Sequence, residues 1–450
     1  LIAFNCGVTG DALLPRGLYS LRRTVTLPAM KPSLPSVTPT EKETNSSQTA
    51  PPLNRRSFLQ TVGLGAAALG LSPANIGKAQ TPEKPIAGFE AAPTTAETHA
   101  GWQPVSDRKL RVGLVGYGVC KFSAAFGFQN HPNVEIVAVS DLIPDRCAEL
   151  ASVVKCPTTY PSLEELVKDD KIEAVFVATD APSHARHCIE VMKHGKHVGT
   201  AVPAAFGSLE DADRVFQTVK QTGLKYMMFE TSCFHEDLHA MRQLYRAGQL
   251  GRIVYTEGEY FHYMEQPIDS YKGWRIGLPP QWYPTHSNAY YVGVTAGSFT
   301  EVSCMGIPSR LQHLQPQNNT YRNPYGTEIA LFRTSEGGMA RMGVSWDTPT
   351  NEGEMGRIRG DKGSVYSNQF RGLEKLQTDI KRPPLPPGVA AGGHGGSHGY
   401  LMNEFVTAIL QDRQPLVNVA WALNMTVAGI VAHQSAMKDG ELLKIPQYQL

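Results

Sequence analysis

The sequence has no excess of either charge, no paired cysteines and no hydrophobic run of bilayer length, and each absence removes a class of function. Lys and Arg number 42 against 41 Asp and Glu, a formal net charge of +1. No long basic run stands out, so nucleic acid is not an expected partner. The seven cysteines, at positions 6, 120, 147, 156, 188, 233 and 304, form no Cys-x-x-Cys pair and no Cys/His spacing suited to zinc. Neither a metal site nor a disulfide framework is indicated. Internal repeats are lacking too. With 450 residues, 41% hydrophobic and 18% charged, the chain is long and apolar enough to bury substantial cores, and two domains behind a leader are expected.

The leader occupies residues 1–79. Met30 is the more natural start, so residues 1–29 are set aside from fold reasoning. A Pro, Ser, Thr and Glu rich stretch then runs to Asn54-Arg55-Arg56-Ser57-Phe58-Leu59-Gln60, which reads as a twin-arginine motif. The mildly apolar run Thr61 to Leu71 comes next, and then Gly77-Lys78-Ala79, a small-residue cleavage site. The apolar run is too short to span a bilayer. The expectation is export by the twin-arginine route, which carries proteins already folded, to a periplasmic or extracytoplasmic compartment. Residues 80–106, rich in Pro, Thr and Ala, read as a linker.

The organising stretch is Leu110 to Asp141. Leu110, Val112, Leu114 and Val115 form an apolar run of the kind a strand buried on both faces needs, and it ends in Gly116-Tyr117-Gly118. Lys121 to Asn130 reads as a helix and Val134 to Val139 as a second strand, with Asp141 at its carboxyl end. This order is the Rossmann βαβ unit: Gly116 permits the tight turn, Gly118 lets backbone approach a pyrophosphate, and Asp141 accepts the ribose hydroxyls. A carboxylate there repels a 2′-phosphate, so the expected cofactor is NAD and not NADP. The third glycine of the fingerprint is replaced by Lys121.

Alternating strand and helix patterns continue to Met228, so residues 107–228 form the nucleotide domain. Thr179 and His184 fall in the turn after the buried strand Glu173 to Ala178, near where the nicotinamide half should lie. Residues 229–450 read as an α+β domain whose large open sheet is mostly antiparallel. Its long strand Ile253 to Tyr263 sends Tyr260 and His262 to one face and Tyr255, Phe261 and Tyr263 to the other. Glu328 to Arg333, Met339 to Trp346 and Met355 to Arg359 supply further strands, Tyr400 to Leu410 and Ala420 to Met437 supply helices, and a Pro/Gly-rich loop carries His394. The fold class is α/β, an N-terminal Rossmann domain plus this C-terminal α+β domain.

With Gly195-Lys196-His197-Val198 ahead of Pro203, the chain resembles the Gfo/Idh/MocA family of sugar and cyclitol oxidoreductases over about Arg108 to Ile445. Most of that family places a Glu-Lys-Pro lysine after this motif. Here the segment is Ala201-Val202-Pro203-Ala204-Ala205, and the lysine is missing. In this it is similar to the NAD-dependent α-N-acetylgalactosaminidase branch, as are Tyr226 to Glu230, Glu257 to His262, Trp274-Arg275, Trp282 to His286 and His394-Gly395-Gly396. Ala201 departs from the branch, which has Glu there, and so does Thr231-Ser232, where the branch more often has Asn-Cys. The resemblance implies a sugar pocket with catalytic Tyr283, His286, Tyr260 and His262, substrate-binding Glu230, Arg275 and His394, no metal, and an open sheet of the kind that pairs into a homo-oligomer.

The residue types agree with that chemistry. Oxidising a secondary alcohol needs a base, a hydride acceptor and donors that hold neighbouring hydroxyls, and Tyr and His supply the first and last. Bland alternatives stand beside each: Tyr260 and His262 as core residues, Tyr283 as a packing aromatic, Arg275 as a surface ion-pair partner, His394 as a solvated loop residue, and His286 as a core histidine, against which its place in a turn with Pro284 and Thr285 speaks. Three functions are open: a redox-neutral glycosidase, a net sugar or cyclitol dehydrogenase, or a non-catalytic nucleotide-containing sugar-binding protein.

Overall fold

The computed structural model describes residues 91–349, 353–366 and 369–450; the leader, with Arg55 and Arg56, lies outside the described residues. The described part of the linker is tied down. Its one-turn helix α1 (Ala96–His99) accepts the Leu385 N–H at Thr98 O, 2.8 Å, and Ala92 bridges to Gly392.

Six parallel strands, β1 (Leu110–Val115), β2 (Val134–Ser140), β3 (Thr159–Tyr160), β4 (Ala174–Val177), β5 (His197–Thr200) and β6 (Tyr226–Met228), lie in the order β3-β2-β1-β4-β5-β6. All four residues of β4 are buried, as a strand covered on both faces requires. The order reverses beside β1, and the crevice at the carboxyl ends of β1 and β4 is the place where such sheets hold ligands.

Of the covering helices, α3 (Pro144–Val154), α5 (His184–Lys193) and α6 (Leu209–Thr222) match the sequence reading, and α4 (Leu163–Leu166) is capped by Ser162, whose hydroxyl accepts the Glu165 N–H. The first is different. Instead of a helix over Lys121 to Asn130, α2 covers only Phe122–Ala125, opened by Lys121 at φ 48° and succeeded by Gly127 at φ 80°. Two left-handed residues leave room for one turn, and packing holds the segment beyond it: the Phe126 and Phe128 rings sit 5.3 and 5.4 Å from Phe176. The glycine turn is therefore a loop cradle without a long helix dipole behind it.

The second region opens with α7 (Glu236–Arg246) and builds an eight-stranded sheet from β7 (Ile253–Phe261), β8 (Phe299–Pro308), β9 (Tyr325–Thr334), β10 (Met339–Ser345), β11 (Gly353–Gly360), β12 (Gly363–Tyr366), β13 (Gln369–Gly372) and β14 (Leu443–Lys444). The order is β13-β12-β11-β7-β10-β9-β8-β14, antiparallel apart from the central β7/β10 pair. Between β7 and β8 lies α8 (Thr285–Thr295), which sequence reading missed. Residues 285–294 are all buried, so this helix has no polar face to give a 3.6-residue rhythm. His286 thus sits in the first turn of a buried helix, not in a turn.

A glycine pair seats that helix. Gly258 and Gly356 are register partners on β7 and β11, and a Cβ would come within 2.1 Å of Ser287 O at Gly258 and within 2.3 Å of the Tyr290 ring at Gly356. The chain ends in α9 (Gly393–Gly396), α10 (His398–Leu410) and α11 (Val419–Ala436), which return to the first sheet. Met228 N–H donates to Val417 O at 3.1 Å, and Tyr448 packs on Phe216 while its hydroxyl donates to Asp213 at 2.7 Å.

Candidate active site

The crevice beyond β1 and β4 is a cleft of about 260 Å³ lined by Gly116, Gly118, Asp141, Thr179 and His184, and by residues 269–275 from the other side. Gly116 takes φ 93°, and a Cβ there would lie 2.3 Å from Ala178 O. At Gly118 a Cβ would meet nothing within 4 Å, so backbone faces open cleft at the point where a pyrophosphate would pass. Each Asp141 oxygen accepts one backbone N–H, Tyr117 at 2.6 Å and Ile143 at 2.8 Å. These bonds fix the carboxylate at the end of β2 with lone pairs left for ribose hydroxyls. The residues fit a dinucleotide.

His184 borders the cleft as expected and also braces it. Its ring is almost fully buried, with Nδ1 2.9 Å from Pro203 O and Nε2 3.2 Å from Thr179 O, so it braces two cleft loops. Thr179 is oriented in turn by His187, 2.8 Å away. Lys121, at the third fingerprint position, extends to Glu149 at 2.8 Å. Lys196 of the Gly-Lys-His-Val motif turns away from the cleft and donates to Asp169 O and Ile172 O.

Cys120, Ala201, Val202, Arg275 and Tyr283 are shared between this cleft and a second, smaller chamber of about 20 Å³, which Thr231, Tyr260, His262, His286 and His394 also line. Six of the seven predicted catalytic and substrate residues therefore meet at one place. The seventh, Glu230, stands behind the wall. It is fully buried, and its Oε1 accepts from His286 Nδ1 at 2.8 Å. Glu354, missed in the sequence, closes the other side of the same nitrogen at 3.4 Å. Its carboxylate also accepts from the Thr231 and Ser232 hydroxyls and lies 3.4 Å from His235 Nε2.

Two buried carboxylates around one imidazole decide its charge. They overcome desolvation and raise the His286 pKa to about 9, while burial is outweighed at Glu354 by His286, His235 and His394, which lower it to about 2. Glu230, His286 and Glu354 each bring a donor atom within 4.8 Å of the others, close enough for a cation. At a hydrogen-bonding separation of 2.8 Å the cation in place is the imidazolium itself. With Nδ1 committed to Glu230, Nε2 is the nitrogen left for a ligand in the chamber. Tyr283 is pushed up to about 12 by burial, against the opposing pull of Arg275, and Tyr260 is raised as well, so both are neutral phenols. The Tyr260 ring lies 4.4 Å from that of His286. His394, expected in a solvated or sugar-contacting loop, is buried; Nδ1 lies 2.8 Å from His398 Nε2, and desolvation lowers its pKa to about 3.

Residues 110–230 match the family model described as an oxidoreductase family with an NAD-binding Rossmann fold, GFO_IDH_MocA. The match covers the nucleotide domain, over which the chain is similar to the Gfo/Idh/MocA oxidoreductases. The cofactor is NAD, and the matched domain is that of an NAD-dependent oxidoreductase. Curated relatives include glycosyl hydrolase family 109 proteins of Streptomyces filamentosus, 25% identical over 88% of this chain and 90% of that protein, and of Saccharopolyspora erythraea, 24% identical over 69% and 73%. Among solved structures, a levoglucosan dehydrogenase with NADH and levoglucosan aligns at TM-score 0.62 and 17% identity, covering 76% of this chain and all of that one. An apo scyllo-inositol dehydrogenase from Lactobacillus casei aligns at TM-score 0.60 and 16% identity, over 75% and 99%. At these identities the structures speak for the fold. The described residues contain no helix long and apolar enough to cross a membrane.

Glu354 was legible only through register. It is the cross-strand partner of Tyr260, which places it on the chamber face, but nothing local in Asn351 to Gly356 indicates that β11 pairs with β7.

Proposed function

We propose that this chain is an enzyme of the Gfo/Idh/MocA type that carries out hydride transfer at a carbohydrate hydroxyl within a redox-neutral glycoside hydrolysis. The observation that carries the proposal is the proton store beside the cofactor cleft: His286, Glu230 and Glu354 are all buried, with side-chain exposures of 5%, 0% and 6%. A cycle that oxidises and then re-reduces its substrate must hold a proton between the two halves, and a buried carboxylate-imidazole group does so without exchange through bulk water. Bound NAD supplies the hydride acceptor and donor.

In the first half, neutral His286, backed by Glu230, accepts the hydroxyl proton through Nε2 as the carbinol carbon is oxidised. The Tyr260 and Tyr283 phenols donate to oxygens of the ring being held. The ketone acidifies the neighbouring C–H bond, that proton leaves with the aglycone as its alcohol or phenol, and water then adds across the new double bond, its hydroxyl to the anomeric carbon and its proton to C2. In the second half, the His286 imidazolium returns its proton to the carbonyl oxygen as the carbon is reduced. Tyr and His here take the place of the lysine absent from Ala201 to Ala205. The family 109 relatives support the glycosidase reading over a net dehydrogenase.

Export fits the same cycle. Outside the cytoplasm little free NAD replaces reduced cofactor, and a redox-neutral enzyme does not need it; Arg55→Lys with Arg56→Lys is expected to leave folded protein in the cytoplasm, and normal leader removal in that variant would refute it. The catalytic test uses aryl glycosides in deuterated water with no added NAD. Steady phenol release with deuterium at C2 of the freed sugar is expected. No release across α and β gluco, galacto, N-acetylated, uronic and 6-sulfated substrates, with ketosugar formed once an acceptor sugar is supplied, would establish a net oxidoreductase.

A further inference from the structure

Among the described residues, the carboxylates behind the chamber are matched to histidines, and the guanidinium that borders it is matched to no carboxylate. Glu230 and Glu354 are spent on His286 and His235. Arg275, which lines both the cleft and the chamber, has no carboxylate partner among the described residues. Its Nε is buried with no acceptor, and the rest of the guanidinium has neutral partners, the Tyr283 hydroxyl and a soft contact to Cys120 Sγ at 4.0 Å. Aromatic faces hold it in place: the guanidinium carbon lies 4.2 Å from the Trp274 ring centre and 5.9 Å from that of Tyr283. Cation–π contact offsets part of the cost of desolvating a guanidinium, and it fixes the plane of the fork without using the N–H donors. A partly buried arginine stacked flat and lacking a counter-ion is arranged to receive one.

We propose that Arg275 anchors an oxyanion carried by the sugar, so that the substrate is an acidic glycoside, either a uronic acid or a sulfated sugar. This rests on the reading of the chamber as a sugar site and names the class of sugar. A planar guanidinium takes a carboxylate or a sulfate through paired N–H bonds. Arg275 and Tyr283 both border the chamber, so a pyranose held by one substituent at Arg275 would present ring hydroxyls to Tyr283 and His286. The rival destination for the fork is the dinucleotide phosphate, because Arg275 also borders the cleft.

The test is equilibrium binding to NAD-loaded protein, read by tryptophan fluorescence from Trp274, and so is independent of turnover. Ligands are glucose and galactose, their uronic acids, and their 6-sulfates. The acidic sugars are expected to bind at least 10-fold more tightly than the neutral ones, with the preference shrinking as salt rises, and the better of uronate and sulfate identifies the oxyanion. Arg275→Gln should abolish the preference while changing NAD affinity less than about threefold, and Arg275→Lys should keep part of it. Equal binding of acidic and neutral sugars by the unaltered protein would overturn the proposal, even if Arg275→Gln does not fold. A 10-fold loss of NAD affinity in Arg275→Gln, with the sugar preference intact, would also overturn it by assigning the arginine to the cofactor. If acidic sugars bind selectively but the deuterium experiment fails with aryl uronides and 6-sulfated aryl glycosides as well as with neutral ones, the glycosidase cycle is wrong and the anion site stands.

Discussion

Replacing Glu354 by Gln removes one of the two charges that hold the His286 proton while leaving an amide of the same shape. At an effective dielectric near 20, an oxygen 3.4 Å from Nδ1 attracts the imidazolium by about 5 kcal/mol. Ser232 and Thr231 hydroxyls already disperse part of that charge, so the expected fall is about 2 to 3 pKa units, at ~1.4 kcal/mol each. The His286 titration should move from about 9 to roughly 6 or 7. Oxidation draws on the neutral imidazole and reduction on the imidazolium, so single-turnover oxidation by NAD-loaded protein should rise with pH toward 9 in the unaltered enzyme and reach its plateau near 7 in the variant. Reduction of the ketosugar should show the mirror image. Stability tracks the same titration. The folded pKa lies above the ordinary value of 6.5, so the attraction is fully present below about 6.5 and is lost as pH rises through 9. The thermal midpoint of the unaltered protein should therefore fall across that window, and the variant should lose most of the slope. An oxidation limb that stays near 9 in Glu354→Gln, with a folded protein by circular dichroism, would show that Glu230 alone sets the charge.

Asp141→Ala should weaken NAD binding by more than NADP binding, because only the former uses the carboxylate for both ribose hydroxyls; equal losses by titration calorimetry on stripped protein would refute the assignment. Gly356→Ala should destabilise the protein by about 1–3 kcal/mol through overpacking against Tyr290. It should also cost activity, since displacing α8 moves His286; an unchanged denaturation midpoint would mean the helix is not seated by that glycine.

Local pattern made part of the molecule legible in the sequence. β1, Gly116, Gly118, β2 and Asp141 succeed one another within a single unit, and strand alternation put Tyr260 and His262 on the chamber side. The illegible part depended on neighbours distant in sequence. Residues 285–294 are buried on every side, which erases the periodicity of α8. Glu354 acquires its meaning only by pairing with Tyr260, and the ring contacts of His184 with Pro203 O and of His394 with His398 join residues that no local pattern links. The short α2 depended on Lys121 adopting a left-handed conformation, which the residue type disfavours.

The return of the C-terminal chain to β6 and α6 means that the nucleotide domain is not a detachable module. Val417 completes a backbone bond at Met228, and Tyr448 covers Phe216, so the first sheet's last strand and helix are finished by residues that would leave the ribosome some two hundred positions later. During synthesis the cofactor crevice can be outlined early, but its edge stays open until Val417 and Tyr448 emerge.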